Sequence, residues 1–483
     1  MRFEREILLC SVKCAAARER WVIMQKNLTD GSVFRVLLVF SVPFFISYFL
    51  QTVYGLADLM IIGQFRGADV ITAVSVGSQV MHMITVVIVG LSMGSTVMIS
   101  RAVGAADPKK TAKAIGNTVV LFMAVSLVIT VLLVMLIDPV VALMSTPAEA
   151  VAETRKYLLI CFSGIPFITA YNILGSVFRG LGDSKSPMYF IAVSCVINIL
   201  LDLVFIGLLH MTSAGAALAT VISQTVSVVI ALIAIGKKGI GVSLGKADFR
   251  PDSGTIGSIL KIGVPVSLQD GFIQISFLII TVIANMRGVE AAAAVGIVEK
   301  IITFLFLVPS SMLSAISAIA AQNLGAGLHF RARRTLSYGI GICLGYGAVF
   351  AVLFQFLQEP VVALFTEDPV VILFGGQYLK AYAVDCMLAG VHFCFSGFFC
   401  AYGMSVVSFI HNAVSVILIR VPGSYLAWKL FPATLYPMGL AAPTGSLLSI
   451  LICVGVYFWF CENRKKTAVF LTRYGRNPFR FGL

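Results

Sequence analysis

Apolar runs of twenty or more residues recur along the whole chain, separated by short polar turns. At 1.5 Å of rise per residue, such a run covers the ~30 Å hydrocarbon layer of a bilayer. Twelve are readable, at roughly 34–62, 70–99, 113–137, 156–179, 186–209, 213–235, 258–286, 291–321, 334–357, 376–401, 404–430 and 438–461. Backbone polar groups in lipid must be satisfied within the segment, so the runs predict helices. Composition agrees: 12% of residues are charged, against about 25% in soluble domains. An all-α integral membrane protein with 12 transmembrane helices is expected.

The basic residues set the expected orientation. Of the 35 Lys and Arg, 27 fall before or within alternate connections that include both termini. The other eight (Arg66, Arg155, Lys156, Arg287, Lys300, Lys380, Arg420 and Lys429) fall in the opposite loops and adjacent helix ends. By the positive-inside rule both termini are cytoplasmic, in a multi-pass protein of the plasma (cytoplasmic) membrane. The net charge of +13 is then an orientation signal, and no nucleic-acid partner is expected. The ten cysteines form no CxxC pair, which argues against disulfides and zinc. The five histidines show no metal spacing. The leader "MRFEREILLCSVKCAAARERWVI" has a short apolar core broken by charge, and Met24 is a plausible alternative start.

The two halves resemble each other in register. "DPVVALM" from Asp138 recurs as "EPVVALF" from Glu359, "RAVGA" from Arg101 faces "QNLGA" from Gln322, and Pro43 faces Pro265. Six spans per repeat is an even number, so both repeats enter the membrane in the same sense. Two pseudo-symmetric, parallel six-helix lobes are expected, with substrate handled between them. The expected division is a cytoplasmic tail (1–27), an N-lobe (28–236), a cytoplasmic linker (237–257), a C-lobe (258–461) and a basic cytoplasmic tail (462–483). Asp138–Pro139 and Glu359–Pro360 read as helix terminators.

No GxxxxGK[ST] loop exists, which argues against ATP hydrolysis, and no nucleophile–base constellation suggests an enzyme. An ion gradient needs titratable or cation-coordinating groups inside the membrane. An aspartate there costs ~2.5–3.5 kcal/mol on insertion scales, so it marks interior positions and often ion pathways. Asp58 and Asp202 each lie eight residues from an outer boundary, at Arg66 and His210, hence ~12 Å deep. Asn198 lies one turn from Asp202 on the same face, and Thr220 enters from outside to a similar depth. Asp58 and Asp202 could share a proton, or with Asn198 and Thr220 hold Na⁺ on hard oxygens, or each of the four could simply hydrogen-bond a neighbouring helix.

At these residues the chain resembles the multidrug and toxic compound extrusion (MATE) family, most closely its DinF-type branch. The resemblance runs from about Leu28 to Cys461. It is carried by "KNLTDGSVFRVLLVFSVP", "YGLADLMIIGQFRGAD", "FRGLGDSKSP", "NILLD" and "GAALATVISQ". It implies a kinked first helix with Pro43 as hinge and an N-lobe cation site of Asp58, Asn198, Asp202 and Thr220. Asn172 would be a further member of the polar network. Another branch carries coupling on acids of the seventh and tenth helices; Asp270 and Asp385 lie there but do not match cleanly, and are kept as candidates for a substrate cavity. Glu299, beside Lys300, reads as a structural ion pair.

The function this implies is a secondary antiporter. It would export amphipathic, often cationic compounds in exchange for H⁺ or Na⁺, by alternating access, with no cofactor. Expected partners are small amphipathic molecules and the lipid bilayer, for a monomer with no metal beyond transient Na⁺. The competing expectation is a flippase for a lipid-linked precursor, which would need a cationic central cavity; the mainly acidic intramembrane charges disfavour it.

Overall fold

The structure, a computed structural model, describes residues 27–474; the leader with Met24 and the end of the basic tail lie outside them. Every regular element among the described residues is helical. The first repeat runs α1 (Val33–Phe65), α2 (Ala68–Gly104), α3 (Pro108–Met135), a short α4 (Ile137–Leu143), α5 (Ala148–Ser163), α6 (Ile165–Gly180), α7 (Lys185–Asp202) and α8 (Ser213–Lys238). The second runs α9 (Ser253–Asn285), α10 (Val289–Leu305), α11 (Leu307–Gly325), α12 (His329–Phe356), a short α13 (Gln358–Ala363), α14 (Pro369–Ala401), α15 (Ser405–Ser415), α16 (Val421–Leu430) and α17 (Tyr436–Tyr474). Eleven helical segments are long and apolar enough to cross a bilayer; α5 and α6 together make a twelfth, bent by 50°. This is an all-α integral membrane fold of two six-span repeats.

Three local features depart from unbroken spans. The fourth span breaks at Gly164: Pro166 follows, and proline supplies no N–H to the preceding turn. A Cβ on Gly164 would come 2.4 Å from Val221 Cγ2 on α8, so only glycine fits the approach at the bend. The fifth and eleventh spans each contain a π-helical stretch, Leu203–Leu208 and Val416–Arg420. Such bulges widen a helix by one residue per turn and gather at functional sites. Pro139 and Pro360 do more than end helices. Each sits in the first turns of a short new one, α4 or α13, where a fixed φ suits the N-terminus.

The chain divides into two compact units. Unit 1 runs to Ser267 and takes in Ser317–Thr335. Its core has two clusters, one around Ile62, Val74, Phe162 and Ile206 and one around Ile99, Phe122, Val177 and Ile259. Unit 2 comprises Leu268–Ile316 and Leu336 onward, with a core of Ala294, Val298, Tyr378, Leu379 and Met438. Large apolar side chains also cover the outside, as on α3, where Leu127, Val128, Val131 and Met135 are exposed. In water that surface would drive aggregation; against acyl chains it is the ordinary exterior of a membrane helix.

The linker between repeats is docked within unit 1. A one-turn 3₁₀ helix, Lys246–Phe249, lies over the start of α3. There the Asn117 side chain donates to the carbonyls of Asp248 and Arg250 and accepts from the backbone N–H of Asp252 at 2.7 Å. Lys113 pairs with Asp252 at 3.0 Å, and Asp252 accepts from Thr255 as α9 begins.

Candidate functional site

The acidic site lies in unit 1, where α1, the end of α7 and α8 meet. Asp58, on α1, is 8% exposed, Asn198 and Asp202, on α7, are 1% and 0%, and Thr220, on α8, is 8%. None of the four therefore faces the acyl tails. Asn198 and Asp202 share a helical face because residues four apart project together. Asp202 is the last α-helical residue before the π stretch.

The carboxyl groups of Asp58 and Asp202 lie within hydrogen-bonding reach of each other. An ionised carboxylate only accepts, so two of them make no bond until a proton or cation comes between. Accordingly Asp58 Oδ1 and both Asp202 oxygens are buried without a donor among the described residues. The Asn198 side chain is buried with both Oδ1 and Nδ2 unbonded. The Thr220 hydroxyl lies within hydrogen-bonding reach of Tyr54, one turn before Asp58 on α1. Tyr157 and Cys161, on α5, lie near enough to feel the Asp58 charge, and the Tyr157 hydroxyl is 3.1 Å from Ser78 Oγ.

Arg66 closes one end of the site. From the C-terminus of α1 it donates to Ile206 O at 2.9 Å and Met211 O at 3.1 Å. It thereby satisfies carbonyls that the π stretch and the following turn leave free, and fixes α1 to α7 above both aspartates. From the sequence, Arg66 marks only a boundary. Tyr54 and Arg66 are the residues that sequence reading missed; the four-residue step from Tyr54 to Asp58 was the available signal.

The other candidates are placed as follows. Asn172 donates to Ile168 O of its own helix at 2.8 Å. Pro43 lies inside α1, which continues through it as a helix; the Ser47 hydroxyl bonds Pro43 O at 2.6 Å. In unit 2, Asp270 is half-buried on α9, with Cys400 of α14 within electrostatic range. Glu299 accepts from the Thr281 hydroxyl at 3.1 Å. Asp385 is fully buried and paired with Arg420, whose Nη2 lies 3.5 Å from its Oδ2. Arg420, expected at an outer helix end, is 8% exposed inside unit 2. No cluster of three or more metal-ligating side chains occurs among the described residues.

A duplicated six-span helical fold with buried, donor-starved carboxylates among its apolar spans is the architecture of a membrane transporter. The chain belongs to the MatE family, whose model matches it twice, over residues 43–204 and 265–426. The two matches are 222 residues apart, the step of the internal repeat. It is 29% identical over 434 residues to the probable multidrug resistance protein YpnP of Bacillus subtilis, covering 90% of this chain and 96% of that one. It is 25% identical over 377 residues to the multidrug export protein MepA of Staphylococcus haemolyticus, covering 77% and 82%. A MATE crystal structure in the bent conformation shares the fold at a TM-score of 0.84 and 21% identity, covering 93% of this chain and 99% of that one.

Proposed function

We propose that this transporter is a secondary antiporter, exporting amphipathic and often cationic organic compounds while H⁺ or Na⁺ enters. The observation that carries the reading is the facing pair Asp58 and Asp202, in which Asp58 Oδ1 and both Asp202 oxygens are buried with no donor among the described residues. A group that costs this much in a membrane persists where a cation comes and goes. A proton shared between the two carboxyls would supply the missing donor; Na⁺ would instead take oxygens of Asp58, Asp202, Asn198 and Thr220. The drug-export names of YpnP and MepA support the substrate class.

Coupling follows from differential stabilisation of one conformation. Cation entry neutralises the acidic cluster and lets α1 bend at Pro43, which narrows the cavity of the first repeat and releases substrate outward. Asn172 and Asp270 are assigned to the surrounding polar network and the substrate cavity. The termini are cytoplasmic, on the side richer in Lys and Arg. The lobes divide at the linker, near 237–257, and the functional unit is the monomer.

The test is efflux from proteoliposomes with ΔpH and ΔNa⁺ imposed separately, for the parent chain and for Asp58→Asn and Asp202→Asn. Gradient-driven efflux that survives both substitutions removes the proposed site.

A further inference from the structure

Unit 2 holds the mirror problem. At the repeat step, Asp58 corresponds to Ile279 or Ile280 in "FLIITVIAN", so the first-helix carboxylate has no partner in the second repeat. Yet the second repeat does bury an acid. Asp385 is 0% exposed, and its Oδ1 has no donor among the described residues, as in the acidic site of unit 1. The difference is that Asp385 faces a guanidinium. Arg420 Nη2 reaches it at 3.5 Å and donates to Ser446 Oγ at 2.8 Å.

Position adds to this. Asp202 immediately precedes the π stretch of the fifth span, and Arg420 ends the π stretch of the eleventh. Repeat-related helices thus carry the same backbone irregularity, with a carboxylate beside it in one repeat and a guanidinium in the other. The remaining polar groups around Asp385 extend the same cluster. Tyr382 lies one turn back on α14, and Glu299, on α10, is within electrostatic range of that tyrosine. Ser446 leads on to His392 Nε2 at 3.3 Å, and His392 meets His411 with ring centroids 5.4 Å apart.

We propose that Arg420 is a tethered cation that fills the acidic site of unit 2 and keeps the second repeat out of ion coupling. A guanidinium keeps its proton throughout the physiological range and, being covalently attached, cannot leave. Asp385 therefore stays ionised through the transport cycle. Coupling ions enter and leave only at Asp58 and Asp202. This rests on the antiport reading above and sharpens it, because it limits the number of coupling sites.

The experiment is infrared spectroscopy of the purified protein between pH 5 and 9, together with counting of cations taken up per substrate exported. In the parent chain no protonated-carboxyl band should disappear on Asp385→Asn. Arg420→Met should take up one additional cation per molecule, read as a gained protonated-carboxyl band for H⁺ or as bound Na⁺, and lose it in Arg420→Met/Asp385→Asn. Removing one member of a buried pair can prevent folding, whereas removing both is often tolerated. The double variant is therefore the transport test, and it should keep the parent's cation-to-substrate ratio. A protonated Asp385 band in the parent chain, a changed ratio in the folded double variant, or no gain in a folded Arg420→Met overturns the proposal. Asp58→Asn in the same assay reads the unit 1 site separately. Retained coupling there removes Asp58 from the unit 1 coupling site, whatever Asp385 does.

Discussion

Gly104 and Gly325, 221 residues apart in the two repeats, hold each other's helices at backbone contact. A Cβ on Gly104 would come 1.9 Å from Gln322 O on α11, and one on Gly325 would come 2.0 Å from Arg101 O on α2. These are the glycines of "RAVGA" and "QNLGA", so the repeated motif is a reciprocal contact within unit 1. The Gln322 side chain extends it by accepting from Leu28 N at 2.8 Å, and Asn323 donates to Leu28 O at 3.3 Å.

Either Gly104→Ala or Gly325→Ala should destabilise the protein, because the obstructing atom is a backbone oxygen and cannot rotate away. Overpacking of this kind costs about 1–3 kcal/mol. The double variant should cost less than the sum of the two, since a single separation of α2 from α11 relieves both clashes. Thermal unfolding in detergent of the two single variants and the double variant reads that coupling; strict additivity would mean that the two contacts are independent.

Asp202→Asn should separate stability from transport. The new amide would give Asp58 the donor it lacks and leave a satisfied pair of single negative charge, as one shared proton does. Folding stability should hold or rise by about 1 kcal/mol, the net worth of one buried hydrogen bond. Gradient-driven efflux should fall to the level of empty liposomes, because the site then behaves as permanently loaded. A variant that melts far below the parent chain would assign Asp202 a structural role instead.

Much of this site was legible in the sequence because lipid makes each intramembrane polar residue conspicuous. Asp58, Asn198, Asp202 and Thr220 stood out against apolar runs, and helical periodicity alone put Asn198 and Asp202 on one face. Arg420 was misjudged for a related reason. It was counted with the basic residues of loops and helix ends although it lies inside the 404–430 run; only tertiary packing brings Asp385, 35 residues earlier, beside it. The bend at Gly164 and the two π stretches were also hidden. Hydropathy measures length and polarity, whereas a bend depends on which backbone groups a neighbouring helix approaches.

Pro43→Ala should stiffen the first helix. The residue at 43 would regain an N–H able to bond the carbonyl four residues back, removing a helix-interior penalty of about 3 kcal/mol. A bent state that relies on that weak point would become rarer by the same free energy, roughly a hundredfold. Efflux should fall while substrate binding in detergent is retained. Spin-label distances across α1, at Leu37 and Ile62, would show the straight population rising; an unchanged distance distribution with normal efflux would deny the hinge.

The linker gives a prediction with a pH sign. Thr255 and then Lys113 hold the Asp252 carboxyl down at about 2, below its ordinary value of 3.8. A group whose folded pKa is depressed contributes above its unfolded value and loses that contribution as pH falls through the folded one. Docking onto α3 should therefore be equally firm at pH 7 and pH 5, and weaken only between about pH 4 and pH 2. Asn117→Ala should loosen it at every pH, because it strips the Asp252 N–H and two linker carbonyls of a buried partner. The cost is about 1–3 kcal/mol, roughly a tenfold to hundredfold rise in the undocked fraction. Hydrogen exchange at the Asp252 amide, corrected for its intrinsic pH dependence, reads both effects. An amide that exchanges equally fast in the parent chain and in Asn117→Ala would show that the linker is held by something other than this side chain.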